Sequence, residues 1–241
     1  MDTSSSVAGQ SVEQLGGPRS VLVRQRADHA LLERLLDEAA AASGREQDEA
    51  LTRLARLVFP HAYAEETVLW PVVRAVVPDG EQVTLRNEQE HQEINALFSD
   101  LDRTPAGPAS DELLRRTAAV LRQDARDEED LILPGLQAAL SGAQLRRLGL
   151  TWELVRRTAP TRPHAVVSRR PPGNLLSGVP LSALDRSRDV LDRAARSAPR
   201  LAGPLRAVSG ALALATGALE HVPLLRRGEQ PSTATDRPVR R

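Results

Sequence analysis

The chain of 241 residues contains no cysteine, and all 32 of its basic residues are arginine. The missing thiols exclude disulfide bonds, thiolate metal sites and cysteine nucleophiles. Any bound metal ion must therefore be held by imidazole and carboxylate groups, which suit iron, manganese or zinc. The use of arginine alone, together with many alanines and leucines, indicates a GC-rich bacterial genome.

An excess of one charge and long apolar runs are also missing. The 32 basic residues balance 32 acidic ones, so the net charge gives no reason to expect a nucleic acid or an anionic membrane as a partner. The first residues lack the positive start and apolar run of a secretory signal. The longest apolar stretch, about 207–219, is shorter than the ~20 residues that span a bilayer. We therefore expect a soluble cytoplasmic protein without a transmembrane segment.

The chain does contain an internal repeat of residue types that bind metals. The segment 61–66, with the sequence His-Ala-Tyr-Ala-Glu-Glu, returns 63 residues later as Asp-Ala-Arg-Asp-Glu-Glu at 124–129. An acidic residue followed by a histidine precedes each copy, at 28–29 and at 90–91. The chain therefore consists of two tandem halves that repeat nitrogen and oxygen ligands, and this pattern indicates a metal site.

Helical periodicity dominates from about residue 20 to residue 139, and no strand pattern is evident. Short connections between long amphipathic helices predict an all-α fold, an up-down-up-down four-helix bundle. A short fifth helix should pack on one end, and Pro60 and Pro71 should kink the second helix. The predicted helices cover approximately residues 20–43, 46–77, 81–103, 110–140, 141–157, 181–197 and 201–222.

Composition divides the chain into five parts. They are a disordered N-terminus over 1–18, the bundle over 19–158, a Pro/Arg-rich linker over 159–180, a C-terminal helical segment over 181–225 and a disordered tail over 226–241. The sequence leaves open whether the C-terminal helices dock on the bundle or form a separate element.

Six of the repeated polar residues share the inward-facing, three-and-four spacing of the apolar residues on the four bundle helices. They are His29, His61, Glu65, His91, Asp124 and Glu128. A buried carboxylate without a partner costs several kcal/mol, and a buried imidazole also needs partners. With no lysine or inward-facing arginine at these positions, one or two divalent cations would neutralise the carboxylates and occupy the imidazole lone pairs.

Other polar residues have simpler explanations. Glu66 and Glu129 lie one step off the inward-facing positions, which is typical of a solvated helix face, with a role in supporting the ligands as the alternative. His164 and His221 have no ligand partner at a useful spacing, so they are assigned no role. The arginine pair 169–170 is typical of a solvated surface.

With these residues in this order, the chain resembles the hemerythrin-like, HHE cation-binding family. The family pattern is a histidine on the first helix, His-x-x-x-Glu on the second, a histidine on the third and His-x-x-x-Glu on the fourth. The trailing pairs Trp70-Pro71 and Leu133-Pro134 also agree with it, and the resemblance covers about residues 20–157. The matching ligands are His29, His61, Glu65, His91 and Glu128.

The resemblance implies a non-haem di-iron centre, in which two iron ions are bridged by an oxo or hydroxo group, with manganese or zinc as alternatives. Glu65 and Glu128 would be the bridging carboxylates. His29 and His61 would serve one metal ion and His91 the other. Members of the family carry or sense oxygen, respond to nitric oxide or peroxide, or handle iron.

Asp124 departs from the family pattern, because it stands where the fourth-helix histidine belongs. Two interpretations stay open. Asp124 binds the second metal ion as a carboxylate, which would favour the oxidised metal and make reversible oxygen carriage less expected than reduction of oxygen or peroxide. Alternatively, the second metal position is weak or lost.

Three functions fit this pattern. The preferred one is a non-enzymatic metal-binding protein that binds or senses a diatomic ligand or peroxide, or handles iron, because no catalytic residues are evident. The second is an oxidase-like or peroxidase-like enzyme at the same centre, and turnover with peroxide and a reductant would distinguish it. The third is a metal-poor helical scaffold that binds a protein partner through the C-terminal helices, and the iron content would distinguish it.

Overall fold

The structure is a computed structural model that describes residues 6–234, and every regular element within that range is helical. The predicted all-α, four-helix bundle is confirmed. The bundle elements are α1 (Val21–Ala41), α2 (Gly44–Ala64), a π-helical turn (Glu65–Leu69), α3 (Trp70–Val76), α4 (Gly80–Arg103), α5 (Pro108–Asp127), a second π-helical turn (Glu128–Ile132) and α6 (Leu133–Ala139). None of the helices between residues 6 and 234 combines the length and apolar character needed to cross a membrane.

Each half of the sequence repeat supplies two neighbouring bundle helices. Helix α1 packs against α2, α4 packs against both α3 and α5, and α5 closes the bundle against α1. Two apolar layers fill the interior. One surrounds Trp70 and Trp152, and the other surrounds Leu54 and Phe98. The repeated polar residues lie between these layers, so apolar packing isolates them from water on two sides.

The two π-helical turns occupy equivalent positions in the two halves. Each begins at the glutamate of the repeated motif, and its backbone donor reaches back five residues: Trp70 donates to the Glu65 carbonyl and Leu133 to the Glu128 carbonyl. Pro71 and Pro134 follow directly and cannot donate a backbone hydrogen bond. The helix therefore widens at this point, in a form that is frequent at functional sites. Proline 60, by contrast, lies inside a continuous α2.

The fifth helix, α7 (Gly142–Thr158), begins with a capping box formed by Ser141 and Gln144. It packs against α1 and α2 and runs beside α1 from Gly149 at Arg19 to Arg156 at Asp28, so it lies along the side of the bundle rather than on one end. The contact is close because Gly149 lies against the backbone of Arg19 and Ser20, where a Cβ atom would come within 2.2 Å. This places Trp152 in the core beside the polar layer.

The N-terminal segment packs on the bundle, and the prediction of disorder over 1–18 is wrong for its described residues, 6–18. Val7 and Leu15 are fully buried in the core cluster around Trp70. Gly16 and Gly17 have φ angles of 90° and 95°, which favour glycine and turn the chain after Leu15. Composition indicates disorder here because only two apolar anchors hold a Ser/Gly-rich segment. Residues 1–5 lie outside the described range.

Residues 159–234, which we call the extension, dock on the bundle. Its elements are α8 (Gly173–Ser197), a 3-10 turn (Pro199–Leu201), α9 (Ala202–Glu220) and a second 3-10 turn (Pro223–Arg226). Helices α8 and α9 pack on each other, and Tyr63 of the bundle donates a hydrogen bond to the Asn174 carbonyl at 2.7 Å. Gly178 permits this approach, since a Cβ atom there would meet the Tyr63 hydroxyl at 2.1 Å.

The segment 159–172, which we call the strap, connects α7 to α8 and is not a free linker. Its residues from Ala165 to Arg169 are buried. Helix α8 also begins at Gly173, eight residues before its predicted start, and continues through Pro180. The part of the predicted tail that the structure describes, residues 226–234, is ordered. Within it, Glu229 accepts a hydrogen bond from the Arg169 backbone at 2.6 Å. Residues 235–241 lie outside the described range.

His164 has a role that its sequence context did not reveal. Its Nε2 lies 3.0 Å from Asp185 on α8 and its Nδ1 lies 2.6 Å from Glu220 on α9. Burial alone would lower the pKa of the imidazole, but the hydrogen bonds to Asp185 and Glu220 outweigh burial and raise it to about 9. A protonated His164 therefore joins the strap to both helices of the extension.

Replacement of Leu15 by alanine tests the packing of the N-terminal segment. We expect Leu15→Ala to lower the free energy of unfolding by about 2–5 kcal/mol, because it leaves a cavity in the core. Leu150→Ala is the matched control, since Leu150 is 52% exposed on α7, and its effect should stay within about 0.5 kcal/mol. Denaturant titration measures both. Equal, small effects would mean that residues 6–18 do not pack as described.

Replacement of His164 by glutamine tests the ion cluster of the extension. Because the folded-state pKa is raised, the stabilisation is fully present below the unfolded value of 6.5 and is lost as the pH rises through about 9. The free energy of unfolding of the native chain relative to His164→Gln should fall by roughly 3 kcal/mol between pH 6 and pH 10. A difference that does not change with pH would contradict a protonated His164.

Candidate metal centre

The first half of the site brings two histidines to two carboxylates. His61 Nε2 lies 3.0 Å from Glu65 Oε1, one helical turn further along. His29 Nε2, from α1, lies 3.2 Å from Glu128 Oε2, and His61 Nε2 lies 4.0 Å from the same oxygen. His29, His61 and Glu128 each place one ligand atom within 4.8 Å of the others. This geometry can hold one metal ion.

The second half of the site is centred on His91. Its Nε2 lies 3.6 Å from Glu65 Oε2, so the two oxygens of Glu65 face different histidines. Glu65, His91 and Glu128 form a second group whose ligand atoms lie within 4.8 Å of one another. Because the two groups share Glu128, the arrangement suits two ions bridged by carboxylates.

Asp124 stands at the edge of this second group. Its Oδ1 lies 3.8 Å from His91 Nε2 and accepts a hydrogen bond from Asn87 Nδ2 at 2.8 Å. Asn87 also donates to Glu128 Oε1 at 3.2 Å. Burial, followed by repulsion from Glu128, raises the pKa of the Asp124 carboxyl well above its usual range. Asn87 therefore holds Asp124 beside both His91 and Glu128.

The other ring nitrogen of each histidine contacts a further carboxylate. The distances from Nδ1 are 2.7 Å for His29 with Glu129, 3.1 Å for His61 with Asp28 and 2.8 Å for His91 with Glu66. A carboxylate on the far nitrogen fixes the ring orientation and keeps the proton there, which leaves Nε2 free to bind a metal. Glu66 and Glu129 therefore do not lie on a solvated helix face as the sequence suggested.

Two of these contacts cross between the halves of the repeat. The second glutamate of the first half, Glu66, holds the lone histidine of the second half, His91. In the same way Glu129 of the second half holds His29 of the first. The Nδ1 contacts of His29 and His91 therefore need both halves of the repeat, whereas His61 contacts Asp28 and Glu65 of its own half.

The carboxylates of the site favour protonated histidines. Burial alone would lower the pKa of His29, but the nearby carboxylates of Glu128 and Glu129 outweigh it and raise the pKa to about 9. Burial is likewise outweighed at His91, chiefly by the charges of Asp124 and Glu66, which raise the pKa to about 10. Metal binding must displace these protons, so it is expected to release them.

Two buried carboxylate oxygens provide the test of whether a cation fits. Glu65 Oε2 and Glu128 Oε2 are shielded from solvent and accept no hydrogen bond from any residue between 6 and 234. Burial and the nearby charge of Glu128 raise the pKa of Glu65. Carboxylate oxygens that face imidazole nitrogens without a hydrogen bond are the ligands that iron, manganese or zinc would take up. The donor set therefore fits a metal ion.

A small cavity of about 30 Å³ adjoins the site. Its polar wall includes the three histidines and Asp124. Its apolar wall is formed by Leu32, Leu57, Val58, Phe59, Ile94 and Leu121. A single water needs roughly 10–15 Å³ of such space, so the cavity has room for a molecule of one or two heavy atoms.

These features define the class: helical bundles that bind metal ions through histidine and carboxylate groups on facing helices. Residues 21–136 match the family model of the hemerythrin HHE cation binding domain, and this part of the chain belongs to that family. The chain is also similar to a hemerythrin-like protein of Schizosaccharomyces pombe that is described as uncharacterized. The two are 24% identical over 153 residues, or 61% of this chain and 71% of the relative. No solved structure matches the chain.

The contact of Glu129 with His29 gives a prediction about metal affinity. Glu129→Gln removes the charge that holds the Nδ1 proton, so the affinity of the His29 position should fall by about 10-fold to 100-fold. Competition with a chromophoric chelator for Zn(II) measures this affinity. Asp130→Asn is the matched control, because Asp130 is the exposed neighbour of Glu129. Equal affinities for the two variants would mean that Glu129 does not support the ligand.

Proposed function

We propose that this protein holds a non-haem di-iron centre at which it binds or senses a small ligand, either a diatomic molecule or peroxide. The observation that carries the proposal is the position of Glu65 and Glu128 between the histidines of the two halves. Each of the two carboxylates has a buried oxygen that accepts no hydrogen bond from the part of the chain that the structure describes. They would bridge two ions, with His29 and His61 on the first and His91 on the second.

Asp124 would complete the second position. Its oxygen is 3.8 Å from His91 Nε2, and a cation between the two would replace the hydrogen bond that Asn87 now supplies. The second position would then be richer in oxygen than the first. Because hard carboxylate ligands favour the higher oxidation state of iron, reversible carriage of oxygen is less suited to this site than sensing or reduction.

When bound, the metal ions would supply open coordination positions and redox chemistry, and the protein determines what reaches them. Asp28, Glu66 and Glu129 hold the Nδ1 protons, so each Nε2 presents a lone pair. The apolar wall of the cavity limits the ligand to one or two heavy atoms and limits water. These residues together suit a diatomic ligand or peroxide better than an organic substrate.

The cavity lining supports a binding protein over an enzyme. Its titratable side chains are the proposed ligands His29, His61, His91 and Asp124, together with Asp28, which already holds His61. No further acid or base among the described residues lines this space. A reaction that needs proton transfer to a substrate would therefore have to use a group that is already committed to the metal.

Metal analysis after anaerobic loading with Fe(II) tests this function. The native chain should retain about two iron ions, as carboxylate-bridged bundles do. His91→Ala should retain about one ion, because it removes the nitrogen ligand of the second position. The same samples should show a change in the optical spectrum with nitric oxide, since an open iron position would bind it.

His221→Ala is the control for this experiment. His221 is exposed on the C-terminal side of α9, and its ring contacts the Gly217 carbonyl rather than a carboxylate. It should retain as much iron as the native chain. If the native chain takes up no iron, the di-iron function is wrong. A single ion in both the native chain and His91→Ala would mean that the second position is lost.

A further inference from the structure

An arginine from the strap reaches the edge of the metal centre. Arg169 lies 33 residues beyond the family match, which ends at residue 136. Its side chain is only 7% exposed. A buried guanidinium must be paired, because removing it from water is costly. The position of its partner therefore shows what this residue does.

The nearer carboxylate partner of the Arg169 guanidinium is the one that holds His91, since Glu229 Oε1 lies 4.0 Å from Arg169 Nε. Glu66 Oε1 accepts hydrogen bonds from Arg169 Nη1 at 3.2 Å and lies 2.8 Å from His91 Nδ1. Arg169 also contacts the side-chain oxygen of Gln92, the residue after His91 on α4. One guanidinium thus fixes both the carboxylate that orients the histidine and the helical position next to it.

The backbone of Arg169 is held as firmly as its side chain. Its N–H donates to Glu229 at 2.6 Å, and its carbonyl accepts from Asn174 Nδ2 at 2.8 Å. Asn174 also donates to Thr67 Oγ1 of the bundle at 3.3 Å. Because these contacts bind the strap to the first π-helical turn, Arg169 has little freedom to leave Glu66.

The equivalent carboxylate in the other half of the repeat has no such partner. Glu129 orients His29 as Glu66 orients His91, but no arginine between residues 6 and 234 forms an ion pair with it. Through Arg169 the extension therefore contacts the His91 side of the site and not the His29 side. The His91 side contains Asp124 in place of the histidine of the family, so its metal position has fewer nitrogen ligands.

We propose that Arg169 is a positioning residue for the second metal position, which the extension completes from outside the bundle. It keeps Glu66 turned toward His91, and Glu66 keeps His91 Nε2 directed at Glu65 and Asp124. Asp124 leaves His91 as the single nitrogen ligand of this position, so the position depends on that orientation. The part of this inference that concerns the metal ion rests on the proposed function. The part that concerns the Glu66–His91 contact does not.

The adjacent residue provides an internal comparison. Arg170 pairs with Glu88 at 2.7 Å and with Glu81 at 2.6 Å, and neither carboxylate contacts a histidine. Glu88 also pairs with Arg74, so it keeps a cation when Arg170 is removed. A change at Arg170 therefore weakens the docking of the strap without touching the carboxylate of His91.

The experiment compares Arg169→Met, Arg169→Lys and Arg170→Met in the full chain by calorimetric titration with Zn(II). Arg169→Met should bind the second ion about 10-fold more weakly than the native chain, at the lower end of the effect of removing a group that supports a ligand. Binding of the first ion should not change. Arg169→Lys should recover part of the loss, because it keeps a charge near Glu66. Arg170→Met should bind both ions like the native chain.

The outcomes separate this inference from the proposed function. Two ions with native affinity in Arg169→Met would overturn the role of Arg169 and leave the di-metal function intact. Equal loss of the second ion in Arg169→Met and Arg170→Met would overturn it as well, since docking alone would then matter. If the native chain binds no ion, the ¹⁵N shifts of the His91 ring in the metal-free protein decide. They should change in Arg169→Met and not in Arg170→Met, and unchanged shifts in both would overturn the inference.

Discussion

The fold depends on one constraint, which is the burial of carboxylates and imidazoles in a single layer between two apolar cores. Glu65 and Glu128 are fully buried, and isolated charges in such a place would cost several kcal/mol each. Hydrogen bonds between opposite charges offset part of that cost, but one oxygen of each carboxylate accepts no hydrogen bond from the described residues and faces an imidazole nitrogen instead. A cation fits this layer, and the bundle around it is suited to metal binding rather than to maximal stability.

The twofold repeat explains how this layer is assembled. Each half contributes a lone histidine and a helix that widens to a π turn at its buried glutamate, Glu65 or Glu128. The crossed contacts, His29 with Glu129 and His91 with Glu66, tie the two halves together. Since each half orients the histidine of the other, the site forms only in the closed bundle. The π turn allows two consecutive glutamates to serve the site, the first facing the metal position and the second facing a histidine.

Periodicity predicted what a helix determines locally, and three-dimensional contacts determine the rest. The inward positions of His29, His61 and Glu65 follow from the three-and-four spacing, so the sequence placed them in the core. The roles of Glu66 and Glu129 could not be found in this way, because each depends on a histidine that belongs to the other half. Leu15 and Arg169 were missed for a related reason: a few buried anchors fix segments whose overall composition is typical of disorder or of linkers.

Asp124 and Arg169 both act on the same half of the site. Asp124 replaces a neutral ligand with an acid whose pKa is raised by burial and by Glu128. Arg169 brings a positive charge to the carboxylate behind His91, and this charge is the main cause that holds the pKa of Glu66 low against the effect of burial. The side of the site around His29 and His61 keeps the ligand pattern of the family, and no arginine between residues 6 and 234 pairs with Glu129 there. Two ions in this site would therefore have different sets of ligands, one richer in nitrogen and one richer in oxygen. A ligand that bridges them would be bound asymmetrically, which suits a site that distinguishes small ligands better than one that stores them.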